Sequence, residues 1–140
     1  MSRNNFTTNL QTRERMRKVG VVNTPIERIV RSLLHRQGYR FTLRRKDLPG
    51  KPDIVLPKYR TIIFVHGCFW HGHELCRKGT LRPKRNAEIW ETKIQKNVAR
   101  DLRVTDELHE LGWRIIVIWE CETKDKVALS ARLTDELGDR

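Results

Sequence analysis

Eleven residues, His66 to Cys76 (HGCFWHGHELC), hold two cysteines, three histidines and a Phe-Trp pair. Cys68, His73 and Cys76 offer three soft ligands from one loop, and Cys121 can be the fourth. A Cys3His set of this kind suits a four-coordinate, structural Zn2+. Three cysteines in a chain that shows no signal peptide argue for thiolate ligation over a disulfide framework. His66 and His71 are then left for proton transfer. Asp53 follows the stiff turn Pro49-Gly50-Lys51-Pro52, which fixes its carboxylate at the edge of a strand. Hard oxygen ligands of this type suit Mg2+, which fills the rest of its shell with water and substrate phosphate. The backbone carbonyl of Val65 is the expected second oxygen. Metal-activated water with a base beside it is the chemistry of phosphodiester hydrolysis. Phe69 and Trp70, flanked by polar ligands, are placed to wedge between base steps, although core packing is the commoner use of such rings.

These groups need elements to position them. Thr24 as N-cap, Pro25 at the first helical position and Glu27 closing a capping box predict a helix start. Ile26, Ile29, Val30, Leu33 and Leu34 form its apolar face, and Gly38 ends it. Capping alone accounts for Glu27, which is also a candidate to lean toward the site. Tyr39, Phe41 and Leu43 alternate with polar residues and predict a strand, followed by the basic loop Arg44-Arg45-Lys46. Ile54 to Leu56 and Thr61 to Val65 predict a hairpin turning at Pro57 to Arg60. Asp53 would lie near Val65 and His66 at the open end of that hairpin. After a long loop from Gly67 to about Arg85, Asn86 is expected to cap a helix. Trp90, Ile94, Val98, Leu102, Leu108 and Leu111 keep helical period in it up to Gly112. Trp113 to Trp119 predict a buried strand, and Lys124 to Leu137 a last amphipathic helix. The order predicts an α/β fold, a mixed sheet with helices on its faces.

The chain has 140 residues, 38% apolar and 33% charged, enough for one domain with a real core. Residues 24–140 are expected to form that domain. Residues 1–23, with Arg13, Arg15, Arg17 and Lys18 around Met16, read as a basic arm that orders on nucleic acid. No run is long and apolar enough for a membrane span. A net charge of +12, spread along the chain, points to nucleic acid as partner.

PGKPD, then TIIFVHGCFWHGH, then a distant WECE resemble the very short patch repair (Vsr) DNA mismatch endonucleases, over roughly Arg13 to Glu122. That resemblance implies a restriction-endonuclease-like fold related to the PD-(D/E)XK nucleases, with Phe64-Val65-His66 replacing the usual downstream Glu-x-Lys. It implies a Mg2+-dependent nick 5′ of the thymine in a G:T mismatch, the product of 5-methylcytosine deamination. Asp53 would bind metal, His71 would be the general base, His66 would assist, and Glu27 would lie close by. Cys68, His73, Cys76 and Cys121 would hold zinc. Phe69 and Trp70 would intercalate, with Met16 entering from the opposite groove side. The expected partner is double-stranded DNA with a G:T mismatch, bound by a monomer in the bacterial cytoplasm, with mismatch-repair proteins as further partners. This chain departs from the family in having two residues between His73 and Cys76 where one is common, Val65 where Thr is common, and a short C-terminus. Two other readings are a nicking enzyme of a restriction-modification system with different specificity, and a non-catalytic zinc-stabilised DNA-binding module.

Overall fold

The computed structural model describes residues 24–138 apart from residue 81. The basic arm, with Met16, Arg13, Arg15, Arg17 and Lys18, lies outside the described residues.

Helix α1 spans Pro25–Arg36; the Thr24 hydroxyl accepts the Glu27 N–H at 3.2 Å, as an N-cap should. The Glu27 carboxylate, expected to complete a capping box, is bonded to Arg44 instead. Val30, Leu33 and Leu34 are buried. At the other end Gly38 takes φ 86, and the Tyr39 N–H returns to the Leu34 carbonyl. That bond spends the Tyr39 amide on the helix, so the predicted strand shrinks to β1, Thr42–Leu43. Strands β2 (Ile54–Leu56) and β3 (Thr61–His66) are the predicted antiparallel hairpin, joined by a 3-10 turn at Pro57–Tyr59.

The loop after β3 contains a single helical turn, α2 (Arg77–Thr80), and leads into α3 (Ala87–Glu110). Asn86 stands at the N-cap position in a left-handed conformation, and its side chain caps nothing. Leu102 and Leu111 were expected on the buried face of α3, but they are 64% and 53% exposed. The inward stripe runs through Ile94, Val98, Asp101, Val104 and Leu108, so one carboxylate sits among apolar neighbours. Strand β4 (Arg114–Trp119) lies parallel to β3, giving the sheet order β1-β2-β3-β4. A 3-10 turn at Glu120–Lys124 follows, and the last helix, α4 (Lys126–Leu137), starts two residues later than predicted. Its N-cap is Asp125, which accepts the Ala128 N–H at 3.1 Å.

Alternation along the strands divides the core in two. Ile54, Leu56, Ile63, Ile116 and Ile118 face α1 and α4. Val55 and Ile62 face the other way, with Leu108 of α3, Leu48 and Trp113. Helices therefore cover both faces of a mixed four-stranded sheet. The turn before β2 is packed onto α3: a Cβ on Gly50, whose φ is +76, would meet Val104 at 2.5 Å. Gly50→Ala is accordingly expected to cost about 2 kcal/mol through the left-handed backbone and the overlap. Urea unfolding checks this, with an unchanged midpoint contradicting it.

Candidate active site and metal centre

The open end of the β2–β3 hairpin holds the first part of the site. Asp53 Oδ2 accepts the Val65 N–H at 3.0 Å, where the ladder of backbone bonds would otherwise continue. Val65's N–H faces this edge, and its carbonyl leaves the strand on the same side. Burial pushes the Asp53 carboxyl up to about 6, and the Glu27 charge adds to the rise. The Val65 N–H and the positive charge of Arg44 and His71 oppose it. Glu27 is only 2% exposed, and its Oε2 takes Arg44 Nη2 at 2.6 Å and Arg31 Nη1 at 3.6 Å. Arg44 has a left-handed backbone, φ 50, and its N–H donates to the Asp53 carbonyl at 3.3 Å. The loop that reads as merely basic thus supplies the counter-ion between two buried carboxylates.

The second part is a pair of imidazoles. His66, at the end of β3, and His71 stack in parallel, with centroids 3.8 Å apart and planes 3° from each other. His71 Nδ1 lies 2.7 Å from Asp101 Oδ2 on α3. Burial first, then the neighbouring charge of His71, holds His66 down at about 4, so its ring is neutral near neutral pH. Its buried Nδ1 meets no hydrogen-bond partner among the described residues. Asp101 was missed from sequence, although a lone acid in an apolar helix stripe is the signal that marks it.

The third part is the thiolate group. Cys68, His73, Cys76 and Cys121 bring one ligand atom each within 4.8 Å of one another. His73 Nδ1 is 3.6 Å from the sulfur of both Cys68 and Cys121. A tetrahedral ion with bonds of roughly 2.3 Å to sulfur and roughly 2.0 Å to nitrogen needs S···N edges of roughly 3.5 Å, so the donor set fits such an ion. The Cys121 N–H points at Cys68 Sγ (3.4 Å), and the Cys68 N–H at Glu120 Oε1 (3.2 Å). Burial raises the Cys68 thiol to about 12, while the Gly79 N–H, ahead of other bonds, holds Cys76 below its usual value. Gly79 lies so close to the His73 backbone that any Cβ there would overlap it. Between His73 and Cys76, Leu75 is 89% exposed.

Phe69 and Trp70 form an edge-to-face pair, and Trp90 of α3 packs on both, at 5.6 and 5.4 Å. Asn97 Nδ2 donates to the Trp70 carbonyl at 2.8 Å. The pair is therefore braced from α3, and Trp70 keeps 39% of its surface exposed. Trp90 reads from sequence as a core position only. Among the described residues no helix is long and apolar enough to cross a membrane.

Comparison with known proteins sharpens this geometry. A family profile for the DNA mismatch endonuclease Vsr matches residues 5–78. The type II nicking enzyme V.XorIIP of Xanthomonas oryzae pv. oryzae is 55% identical over 103 residues, 74% of each chain. The type II nicking enzyme V.NmeAIP of Neisseria meningitidis serogroup A is 47% identical, over 74% of this chain and 72% of its own. The DNA mismatch endonuclease Vsr of Escherichia coli K12 is 45% identical, over 74% of this chain and 65% of its own.

The raised carboxyl has a consequence for stability. A folded chain keeps the Asp53 proton to higher pH than an unfolded one, whose value is near 3.8. The associated stability is full below that value and is lost as pH rises through about 6. Without added divalent cation, Asp53→Asn is expected to stabilise the fold near neutral pH by on the order of 2 kcal/mol, with the gain vanishing in acid. Thermal unfolding across pH checks it; a destabilised Asn variant near neutral pH contradicts it.

Proposed function

The chain belongs to the Vsr family of DNA mismatch endonucleases and is a DNA endonuclease. From that premise we propose that it nicks one strand of double-stranded DNA 5′ of the thymine in a G:T mismatch, initiating repair of deaminated 5-methylcytosine. The observation that carries this reading is the convergence of Asp53, tied to Val65, with the His66–His71–Asp101 group at one end of the sheet.

Asp53 and the Val65 carbonyl would hold Mg2+, whose oxygen-rich shell they match. When bound, it supplies charge for the scissile phosphate and acidifies a coordinated water. His71 is the general base: with Nδ1 engaged by Asp101, its Nε2 is left to accept the proton. Asp101 also steadies the imidazolium that results. His66 lies flat against that ring as a neutral partner, so it adds no repelling charge. Glu27, held by Arg44, brings a second carboxylate to the edge of the site. Cys68, His73, Cys76 and Cys121 would hold Zn2+ as a closed structural site, replacing the core contacts that the loop lacks.

Phe69 and Trp70 would intercalate at the mismatch, and the bracing by Trp90 supports a rigid wedge. Residues 1–23 form the arm, with Met16 reaching the other groove and Arg13, Arg15, Arg17 and Lys18 on phosphates. Residues 24–140 act as one endonuclease domain of restriction-endonuclease-like fold. We assign it as a monomer of the bacterial cytoplasm, with mismatch-repair proteins as partners. A second reading, a nicking enzyme of a restriction-modification system with different or relaxed specificity, is favoured by the names of the relatives at 55% and 47% identity.

Labelled duplexes with G:T, other mismatches or matched pairs in randomised flanks, incubated with Mg2+, test both readings. A single nick 5′ of the mismatched thymine is expected; equal cutting of matched DNA would sink the mismatch specificity. Asp53→Ala is expected to abolish cleavage with duplex binding retained, and His71→Ala to lower kcat by about 10²- to 10⁴-fold. Asp101→Asn is expected to lower kcat by at least about tenfold through the lost imidazole orientation. Purified protein is expected to carry close to one equivalent of zinc by metal analysis, and its removal to lower Tm.

A further inference from the structure

Four aromatic rings form a continuous file between the thiolate group and the imidazole pair. The His73 ring stacks on Trp119 at 4.1 Å with planes 9° apart. Trp119 meets His66 edge-on at 5.3 Å and 74°, and His66 stacks on His71. The two strands make this contact unavoidable, because His66 and Trp119 are register partners at the ends of β3 and β4. Trp119 is itself anchored. Its N–H donates to Glu122 Oε2 at 3.0 Å, and Arg132 Nη1 grips Glu122 Oε1 at 2.6 Å and the Val117 carbonyl at 3.2 Å.

His66 is where the file matters. Its buried Nδ1 has no hydrogen-bond partner among the described residues, so that atom does not fix the ring's rotation. What fixes it is packing: the near-perpendicular Trp119 ring, the His71 face, and Phe64 at a centroid distance of 5.8 Å. We propose that Trp119 is a positioning residue: one face backs the metal-ligating His73, and its near-perpendicular contact sets the ring of His66 and, through the stack, of His71. The cluster of thiolates would then hold the catalytic imidazoles in line and not only fold the loop. This rests on the nicking activity proposed above for its kinetic arm, whereas its metal-retention arm does not.

The test uses the full chain carrying its zinc, as wild type, Trp119→Leu and Trp119→Phe. Steady-state cleavage of a G:T duplex gives kcat and KM, and a chromogenic chelator gives the rate of zinc loss. Trp119→Leu is expected to lower kcat at least about tenfold with KM within about twofold, because a misplaced base costs rate and not binding. It is also expected to release zinc several-fold faster, while Trp119→Phe, which keeps an aromatic face, restores both. The proposal is overturned if the Leu variant matches wild type in kcat or in zinc release, if only KM changes, or if Phe fails to rescue. Should the Leu variant lose its cooperative unfolding transition, wild-type protein with zinc exchanged for cadmium decides. The longer metal–ligand bonds displace His73, so the imidazole proton–nitrogen signals of His66 must move; unmoved signals overturn the proposal. If wild type cuts no duplex, the nicking assignment fails, and the chelator and exchange measurements still judge Trp119.

Discussion

The hydrogen bond from Val65 N–H to Asp53 is the constraint on which the site depends. It stands where the next rung of the β2–β3 ladder would be, with a side chain in place of a backbone carbonyl. The substitution leaves one carboxylate oxygen and one strand carbonyl at the same edge, both directed by backbone geometry. Such a carboxylate works against the fold while unfilled: it is buried, close to Glu27, and relieved only in part by Arg44 and His71. Stability is given up at this one point of the fold.

Around that point the loop from Gly67 to Cys76 separates two chemistries by alternation. Cys68 and His73 turn toward Cys121, just past the end of β4; His71 turns back to Asp101 and His66. The His73 N–H bonds to the Cys68 carbonyl and the His71 N–H to the Gly67 carbonyl, so a tight local turn, and not a long excursion, sorts the ligands. Five histidines occur in the chain, and three of them, His66, His71 and His73, fall within eight residues and join two separate groups. The His73 ring and the His66–His71 pair remain apart because Trp119 stands between them.

Much of this was legible in the chain before folding. The hairpin, its register with Asp53, the soft ligand set and the helix start at Thr24 all follow from local rules: alternation, turn chemistry, ligand type and capping. What escaped was set by contacts distant in sequence. Asp101 is ordinary on a helix until α3 is docked and its inward stripe is known. That stripe was misjudged because Leu102 and Leu111 keep helical period while facing solvent, so periodicity alone could not choose between faces. Arg44 reads as part of a basic loop; only the buried Glu27 on α1 gives it a defined partner. Tyr39 has the pattern of a strand residue, but closing α1 claims its amide first. The restriction-endonuclease-like fold and the individual roles came from resemblance and not from these local rules.

The parallel pairing of β3 with β4 carries a consequence for the order of events during synthesis. Cys68 and Cys121 are separated by 53 positions, and so are His66 and Trp119, with the whole of α3 between them. A chain emerging from the ribosome has Asp53, both stacked imidazoles and three members of the Cys68–His73–Cys76–Cys121 group long before β4 is available. Until that last strand docks, His66 lacks its register partner Trp119 and the cysteine–histidine group is one member short. Parallel pairing across a long crossover is also among the slower events in folding. The geometry that joins the imidazole pair to the cysteine–histidine cluster is thereby completed only by the last strand of the sheet.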